Sequence, residues 1–135
     1  MSGKVPLVRS VVAVAAGFFA SMVMTLGGDI AFRRVSPDAF DADGHARSDG
    51  ALFTMMGYEA LFVLVAGYVT ARLAIRQPLA HALAMGAVVL LARASTVFLT
   101  WDTAPPWFHL GILLLIIPVA LLGAKVSELR ARSLQ

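Results

Sequence analysis

Cysteine is absent from the sequence, and charged residues are few. The absence of cysteine excludes disulfides, thiolate metal sites and thiol nucleophiles. Aspartate, glutamate, lysine and arginine make up 14% of the 135 residues, whereas a soluble domain has about a quarter. Apolar types make up 59%, and the mean hydropathy is +0.82. The composition therefore indicates an integral membrane protein.

Four long apolar segments account for most of the chain. Residues 10–28 and 103–124 contain no formal charge, residues 50–71 only Glu59, and residues 77–101 only Arg93. About 20 helical residues cross a hydrocarbon core about 30 Å thick, so each segment is long enough to span.

These segments predict an all-α fold, a transmembrane four-helix bundle that runs up-down-up-down. The whole chain, residues 1–135, is predicted to be one integral membrane domain. The predicted spans are about 10–31, 51–71, 78–101 and 107–126, with an outer loop at 33–49.

The first segment also has a second interpretation, because Lys4 and Arg9 followed by an apolar run describe a secretory signal peptide. The apolar part of a signal peptide is typically about 7 to 15 residues long, and this run continues to Gly28. The length favours a span.

Basic residues predict the orientation, since cytoplasmic segments carry an excess of Lys and Arg. The outer loop has Arg33, Arg34 and Arg47, diluted by aspartates. More basic residues lie before the first span, in the second turn and after the last span. Both termini are therefore predicted to be cytoplasmic. The residues on that side are Lys4, Arg9, Arg72, Arg76, Lys125, Arg130 and Arg132.

The two intramembrane charges are predicted to meet. In the antiparallel topology Glu59 follows Ala51 by eight residues and Arg93 precedes Trp101 by eight, so both lie about 12 Å deep from the same side. A charge near the bilayer centre is costly, which gives each reason to find a partner. The pair has two interpretations: a proton or ligand site, or an ion pair that fixes helix register.

Other polar residues extend this candidate site. Thr96 shares a helix face with Arg93, Asp29 lies toward the outer side of the first span, and His109 opens the fourth. The alternative for Asp29 is a local ion pair with Arg33 at i+4. The alternative for His109 is a solvated histidine at the interface.

No metal or cofactor is predicted. Asp41 and Asp43 precede Gly44, but an EF-hand loop starting at Asp41 would need glycine at position six and glutamate at twelve. The predicted partners are the lipid bilayer and a second copy or another membrane protein, and no nucleic acid is expected. Small residues four apart, Ala13 with Gly17 and Ala82 with Gly86, predict close helix packing.

Several phrases resemble small four-span membrane proteins found in many bacteria. The resemblance implies a bacterial inner-membrane location and assigns no functional residue. The phrases are Gly-Tyr-Val-Thr-Ala-Arg-Leu-Ala from Gly67, Pro-Leu-Ala-His-Ala-Leu from Pro78, and Pro-Pro-Trp-Phe from Pro105, running into Pro118 and Gly123.

Three functional hypotheses follow. A structural or accessory membrane subunit without enzymatic activity leads, because no nucleophile with a base, no metal set and no phosphate loop is recognisable. The second is a proton-coupled transporter or channel subunit that uses Glu59 and Arg93. The third is an enzyme acting on lipid headgroups, in which Asp29, Glu59 and His109 would converge.

Overall fold

The computed structural model describes residues 4–134, with side chains from residue 6 onward. This part of the chain forms four α-helices and no strand, which confirms the predicted all-α class. Two single-turn 3-10 helices lie in the connections. The helices are α1 (Lys4–Val35), α2 (Asp49–Leu73), α3 (Pro78–Leu99) and α4 (Pro106–Ser133).

The helices extend beyond the apolar runs. α1 continues at both ends past the predicted span 10–31, and α4 continues past the predicted span 107–126 to Ser133. Backbone hydrogen bonding does not stop where the apolar residues stop, and basic side chains reach the headgroup level along their own stems. The side chain of Lys4, one of the predicted orientation signals, lies outside the described residues.

Large apolar side chains face outward on every helix. Val23 of α1 is 68% exposed, Leu91 of α3 is 70% exposed and Leu114 of α4 is 75% exposed. Helices that are apolar on their outer as well as their inner faces are typical of a bilayer. All four helices are long and apolar enough to span one. The architecture is that of a small multi-pass membrane protein.

The helices are arranged around the bundle in the order α1, α2, α4, α3. α2 packs most extensively on α4, which runs parallel to it, and also on α1 and α3. One end of the bundle, which we call the turn end, contains the 74–77 turn, the N-terminal end of α1 and the C-terminal end of α4. The connections at 36–48 and 100–105 lie at the other, the loop end.

Glycine allows the close approach of α2 and α4. A methyl group at Gly67 would overlap the carbonyl oxygen of Ala120, and one at Gly123 would overlap that of Leu64. Small residues of this kind let helix backbones meet in lipid, where packing and not the hydrophobic effect drives association. Toward the turn end α2 and α4 are consequently packed tightly, with Ala66 and Ala120 fully buried.

The predicted small-residue steps pack this bundle. A methyl group at Gly17 of α1 would overlap the Thr70 hydroxyl and contact the carbonyl oxygen of Ala66, both on α2. Gly86 of α3 faces Ile117 and Ala120 of α4 in the same way. These steps therefore hold α1 on α2 and α3 on α4.

The loop at 36–48 folds back on the bundle. Phe40 is buried and pairs with Ala46 through an isolated bridge, and the backbone N–H of Asp41 donates to the His45 carbonyl (2.9 Å). Gly44 turns the chain at φ +84°, a left-handed conformation that favours glycine. The loop therefore covers part of the loop end as a compact hairpin.

Candidate functional site

Glu59 of α2 and Arg93 of α3 form an ion pair inside the bundle. The Nη2 group of Arg93 donates a hydrogen bond to Oε1 of Glu59. The Glu59 side chain is 9% exposed and that of Arg93 25%. Hydrocarbon solvates neither charge, so pairing reduces the cost of burying both. The predicted pairing is confirmed, while its role as a ligand or proton site stays a prediction.

Arg93 keeps unused hydrogen-bonding capacity. Its Nε–H is buried and has no hydrogen-bond partner among the described residues. A guanidinium carries five N–H donors, of which Glu59 takes one. An unmet buried donor costs free energy, so this atom offers a bond to any acceptor that reaches it.

Asp29 of α1 is bound by α2 and not by its own helix. The Tyr58 hydroxyl donates to Oδ1 of Asp29. The expected ion pair with Arg33 is wrong: Nη1 of Arg33 donates to the carbonyl oxygen of Gly44 (2.8 Å), and its Cζ lies 4.5 Å from the Phe40 ring centroid. The folded loop supplies Arg33 with an acceptor and an aromatic face that the sequence pattern did not indicate.

Gly28 makes the contact between α1 and α2 possible. A methyl group there would lie 2.7 Å from the Phe62 ring and 3.2 Å from the Tyr58 ring. Without a side chain at this position the two rings lie directly on α1. The Tyr58 hydroxyl consequently reaches Asp29 one residue further along.

His109 is buried, which corrects the expectation of a solvated interface histidine. Its ring stacks on Trp101 with centroids 5.3 Å apart, and Nε2 lies 3.2 Å from the Trp101 carbonyl oxygen. A carbonyl oxygen only accepts, so this contact assigns the proton of a neutral ring to Nε2. Trp101 thereby covers His109 against the surroundings.

Thr96 lies beside the pair on α3 but is exposed. Its hydroxyl donates to the carbonyl oxygen of Ala92 in its own helix (3.2 Å). Its oxygen still has acceptor capacity, because a hydroxyl has two lone pairs. Thr96 therefore contributes a weakly polar surface next to Arg93.

A cavity of about 280 Å³ adjoins the ion pair, and we call it the lateral cavity. All four helices line it. Met22 and Leu26 of α1, and Ala92 and Thr96 of α3, line it and are themselves exposed, so it opens sideways between α1 and α3. Its charged lining residues are Asp29, Glu59 and Arg93. The remaining lining is mostly apolar, comprising Phe18, Met56, Ala60, Val63, Val89, Ile112, Leu115 and Ile116 together with Ser21 and Thr25.

A second cavity of about 330 Å³ lies on the loop side of the pair, and we call it the loop-end cavity. Residues of the two loop-end connections and of the helix ends next to them line it. It shares several lining residues with the lateral cavity, so the ion pair lies at the boundary between the two. All five residues predicted from the sequence line it, namely Asp29, Glu59, Arg93, Thr96 and His109.

The formal charge of both cavities is negative. Asp29 and Glu59 against Arg93 leave −1 in the lateral cavity. The loop-end cavity adds Asp43 and Arg33, which cancel, so its sum is also −1 with neutral histidines. Arg93 is matched by Glu59, and the Tyr58 hydroxyl that binds Asp29 carries no charge. Of the two carboxylates that line the lateral cavity, Asp29 is therefore the one without a cation at ion-pair distance among the described residues.

The loop contains a cluster of which Asp41 and Asp43, but not His45, were considered from the sequence. Ligand atoms of Asp41, Asp43 and His45 lie within 4.8 Å of one another at the surface. Oδ1 of Asp41 accepts from the backbone N–H groups of Asp43 (3.0 Å) and His45 (2.7 Å). The hydrogen bond from the His45 backbone N–H is the main cause that lowers the pKa of Asp41. The Asp41 carboxylate therefore serves to close the loop.

Tyr58 was also missed. Tyr58 precedes Glu59 in sequence, and an aromatic residue beside an intramembrane acid gives no sign of which helix its hydroxyl will meet. Gly28, opposite it on α1, was the one available signal.

Comparison with protein-family models, with curated proteins and with solved structures finds no match to this chain. The resemblance to small four-span bacterial proteins therefore stays a prediction. What the helices themselves establish is a small multi-pass membrane protein.

Proposed function

We propose that this protein is a non-enzymatic accessory protein of the membrane that binds a small amphiphilic molecule in the lateral cavity. The observation that carries the proposal is the position of the Glu59–Arg93 pair at the wall of an apolar space that opens toward lipid. The apolar body of a ligand would lie among Val63, Val89 and Ile116, and its polar head would lie at the pair.

The dimensions and chemistry support a ligand of this kind. Pockets for small molecules are mostly apolar with a few polar groups that fix orientation, and they measure about 300 to 1,000 Å³. A cavity of about 280 Å³ lies just below this range, which favours a compact molecule over a lipid with two chains.

An enzyme is less well supported. Asp29 and Glu59 are engaged by Tyr58 and Arg93, and His109 is held against Trp101. Catalysis needs acid and base within hydrogen-bond reach of one reacting centre, and these contacts direct the three groups to separate partners.

Proton-coupled transport by a single copy is also less well supported. A carrier needs a path on both sides of its titrating group. On the turn side of Glu59 the helices meet through Ala66, Met85 and Ala120, all fully buried. A transporter built from this chain would need a second copy or a partner to supply that path.

The proposed location is the bacterial inner membrane, with the turn end in the cytoplasm. Arg72 and Arg76 lie at the turn end, and so do the basic residues that follow residue 124. At the loop end Arg33 and Arg47 donate to backbone carbonyls of the loop. The excess of basic residues at the turn end supports this orientation.

The test is binding of a compact uncharged probe, triphenylethane, to the protein in lipid nanodiscs. We expect saturable binding of one probe per chain, above partitioning into nanodiscs without protein. Ala60→Trp, which fills the lateral cavity, is expected to abolish it. Leu114→Trp, on the lipid-facing surface of α4, is the matched control and is expected to bind as the unmodified protein does. The proposal is overturned if neither this probe nor charged probes of the same shape are taken up more by nanodiscs with protein than by nanodiscs without it.

A further inference from the structure

We infer that the amphiphile held in the lateral cavity is a compact lipophilic cation with a single positive charge. This inference rests on the proposed function and specifies the charge of its ligand. It depends on the charges around the ion pair and on where each one finds its partner.

Three charged side chains line the lateral cavity, and two of them neutralise each other. Arg93 donates to Glu59, so this pair presents little net charge to a neighbour. Asp29 receives only the neutral Tyr58 hydroxyl. One carboxylate therefore remains uncompensated in a mostly apolar space.

The basic residue closest to Asp29 in sequence is directed elsewhere. Arg33 lies one helical turn further along α1, but its guanidinium binds the Gly44 carbonyl and the Phe40 ring. In the loop-end cavity its charge is offset by that of Asp43. Arg33 therefore does not change the sign of the space around Asp29.

A monovalent cation would bring the formal charge of the lateral cavity from −1 to zero, whereas a monovalent anion would bring it to −2. Coulomb interactions are stronger in a poorly polarisable interior than in water. An apolar cation also tolerates the bilayer from which the cavity opens, because its charge is shielded by its own substituents. The match of charge, size and polarity thus selects a compact lipophilic cation.

The test compares three probes of one shape and different charge: methyltriphenylphosphonium, uncharged triphenylethane and the methyltriphenylborate anion. Each is titrated into nanodiscs containing the unmodified protein or Asp29→Asn. Asparagine keeps an oxygen that can accept from Tyr58, so the contact between α1 and α2 is retained. Asp38→Asn, an exposed loop aspartate outside both cavities, is the matched control.

We expect Asp29→Asn to raise the dissociation constant of the phosphonium at least about tenfold. Two unit charges about 10 Å apart, at an effective dielectric of about 20, attract each other with an energy that corresponds to about a tenfold change in that constant. Triphenylethane binding should stay unchanged and borate binding should strengthen. Asp38→Asn should change none of the three.

The outcomes separate the two proposals. Saturable binding of triphenylethane with no loss of phosphonium affinity in Asp29→Asn overturns the cation inference and leaves the binding function standing. Failure of all three probes to exceed partitioning into empty nanodiscs overturns both. Circular dichroism and thermal unfolding of Asp29→Asn, expected to match the unmodified protein, show that any loss arises at the cavity.

Discussion

Replacing Arg93 by leucine leaves the Glu59 carboxylate without its partner in the bundle interior. The Glu59 side chain is only 9% exposed, so its carboxylate is largely removed from bulk water. Removing one member of a buried ion pair costs about 3 to 5 kcal/mol. We expect Arg93→Leu to lower the free energy of unfolding by about that amount.

The reverse single variant should be milder. In Glu59→Leu the guanidinium of Arg93 remains, but its side chain is 25% exposed and Asp29 lines the same cavities. Arg93 then has a second carboxylate toward which it can turn. Replacing both members by leucine should be neutral or stabilising, by up to about 4 kcal/mol, because no charge is left to bury.

A double-mutant cycle measures this coupling. Each protein is unfolded in mixed micelles by increasing the fraction of denaturing detergent, and helix content is followed by circular dichroism. Arg76→Leu, an exposed arginine of the 74–77 turn, controls for loss of a positive charge and should shift stability by no more than about 0.5 kcal/mol. If the double variant loses as much stability as the two single variants together, the two charges are not coupled and the reasoning is refuted.

Two further predictions concern packing and the loop. Gly67→Ala should destabilise the protein by about 1 to 3 kcal/mol, because the added methyl overlaps the backbone of Ala120. The control is Gly57→Ala on the same helix, where the methyl meets open space. In the same unfolding assay this control should be neutral or stabilising by up to about 1 kcal/mol. An equal loss from both would contradict the helix contact. The lowered pKa of Asp41 means that its ionised form stabilises the loop, so this contribution is present above its ordinary value of 3.8 and is lost as pH falls through the folded-state pKa. The protection of the His45 amide hydrogen, which is the ratio of its intrinsic to its observed exchange rate, should then fall on acidification, and this fall should be absent in Asp41→Ala.

The number of helices and the meeting of Glu59 with Arg93 were predictable, because both follow from the cost of charge in hydrocarbon. The order of the helices around the bundle was not. Helices α2 and α3 are joined by a short turn, yet the tightest partner of α2 is α4. Because the outward faces of the helices are as apolar as the inward ones, hydrophobic periodicity does not identify the face that packs. The glycines of the α2–α4 contact, Gly67 and Gly123, do not repeat at a helical spacing that would identify it either.

The candidate site was predictable in composition but not in its contacts. Local spacing assigned Asp29 to Arg33, whereas tertiary structure gives Asp29 to Tyr58 and Arg33 to the loop. Rules for residues four apart describe neighbours on one helix only. The burial of His109 depends on Trp101 folding over it, which no spacing in the sequence encodes.

The parallel contact between α2 and α4 affects how the protein is made. Synthesis proceeds from the N-terminus, so α2 enters the membrane while the segment that will cover Gly67 and Leu64 has yet to emerge. Spans insert individually before they associate laterally. Until the fourth span arrives, the most closely packed seam of the protein is filled by lipid. Packing of α4 on α2 therefore requires displacement of lipid chains from α2, and a chaperone or insertase that shields α2 would act before that step.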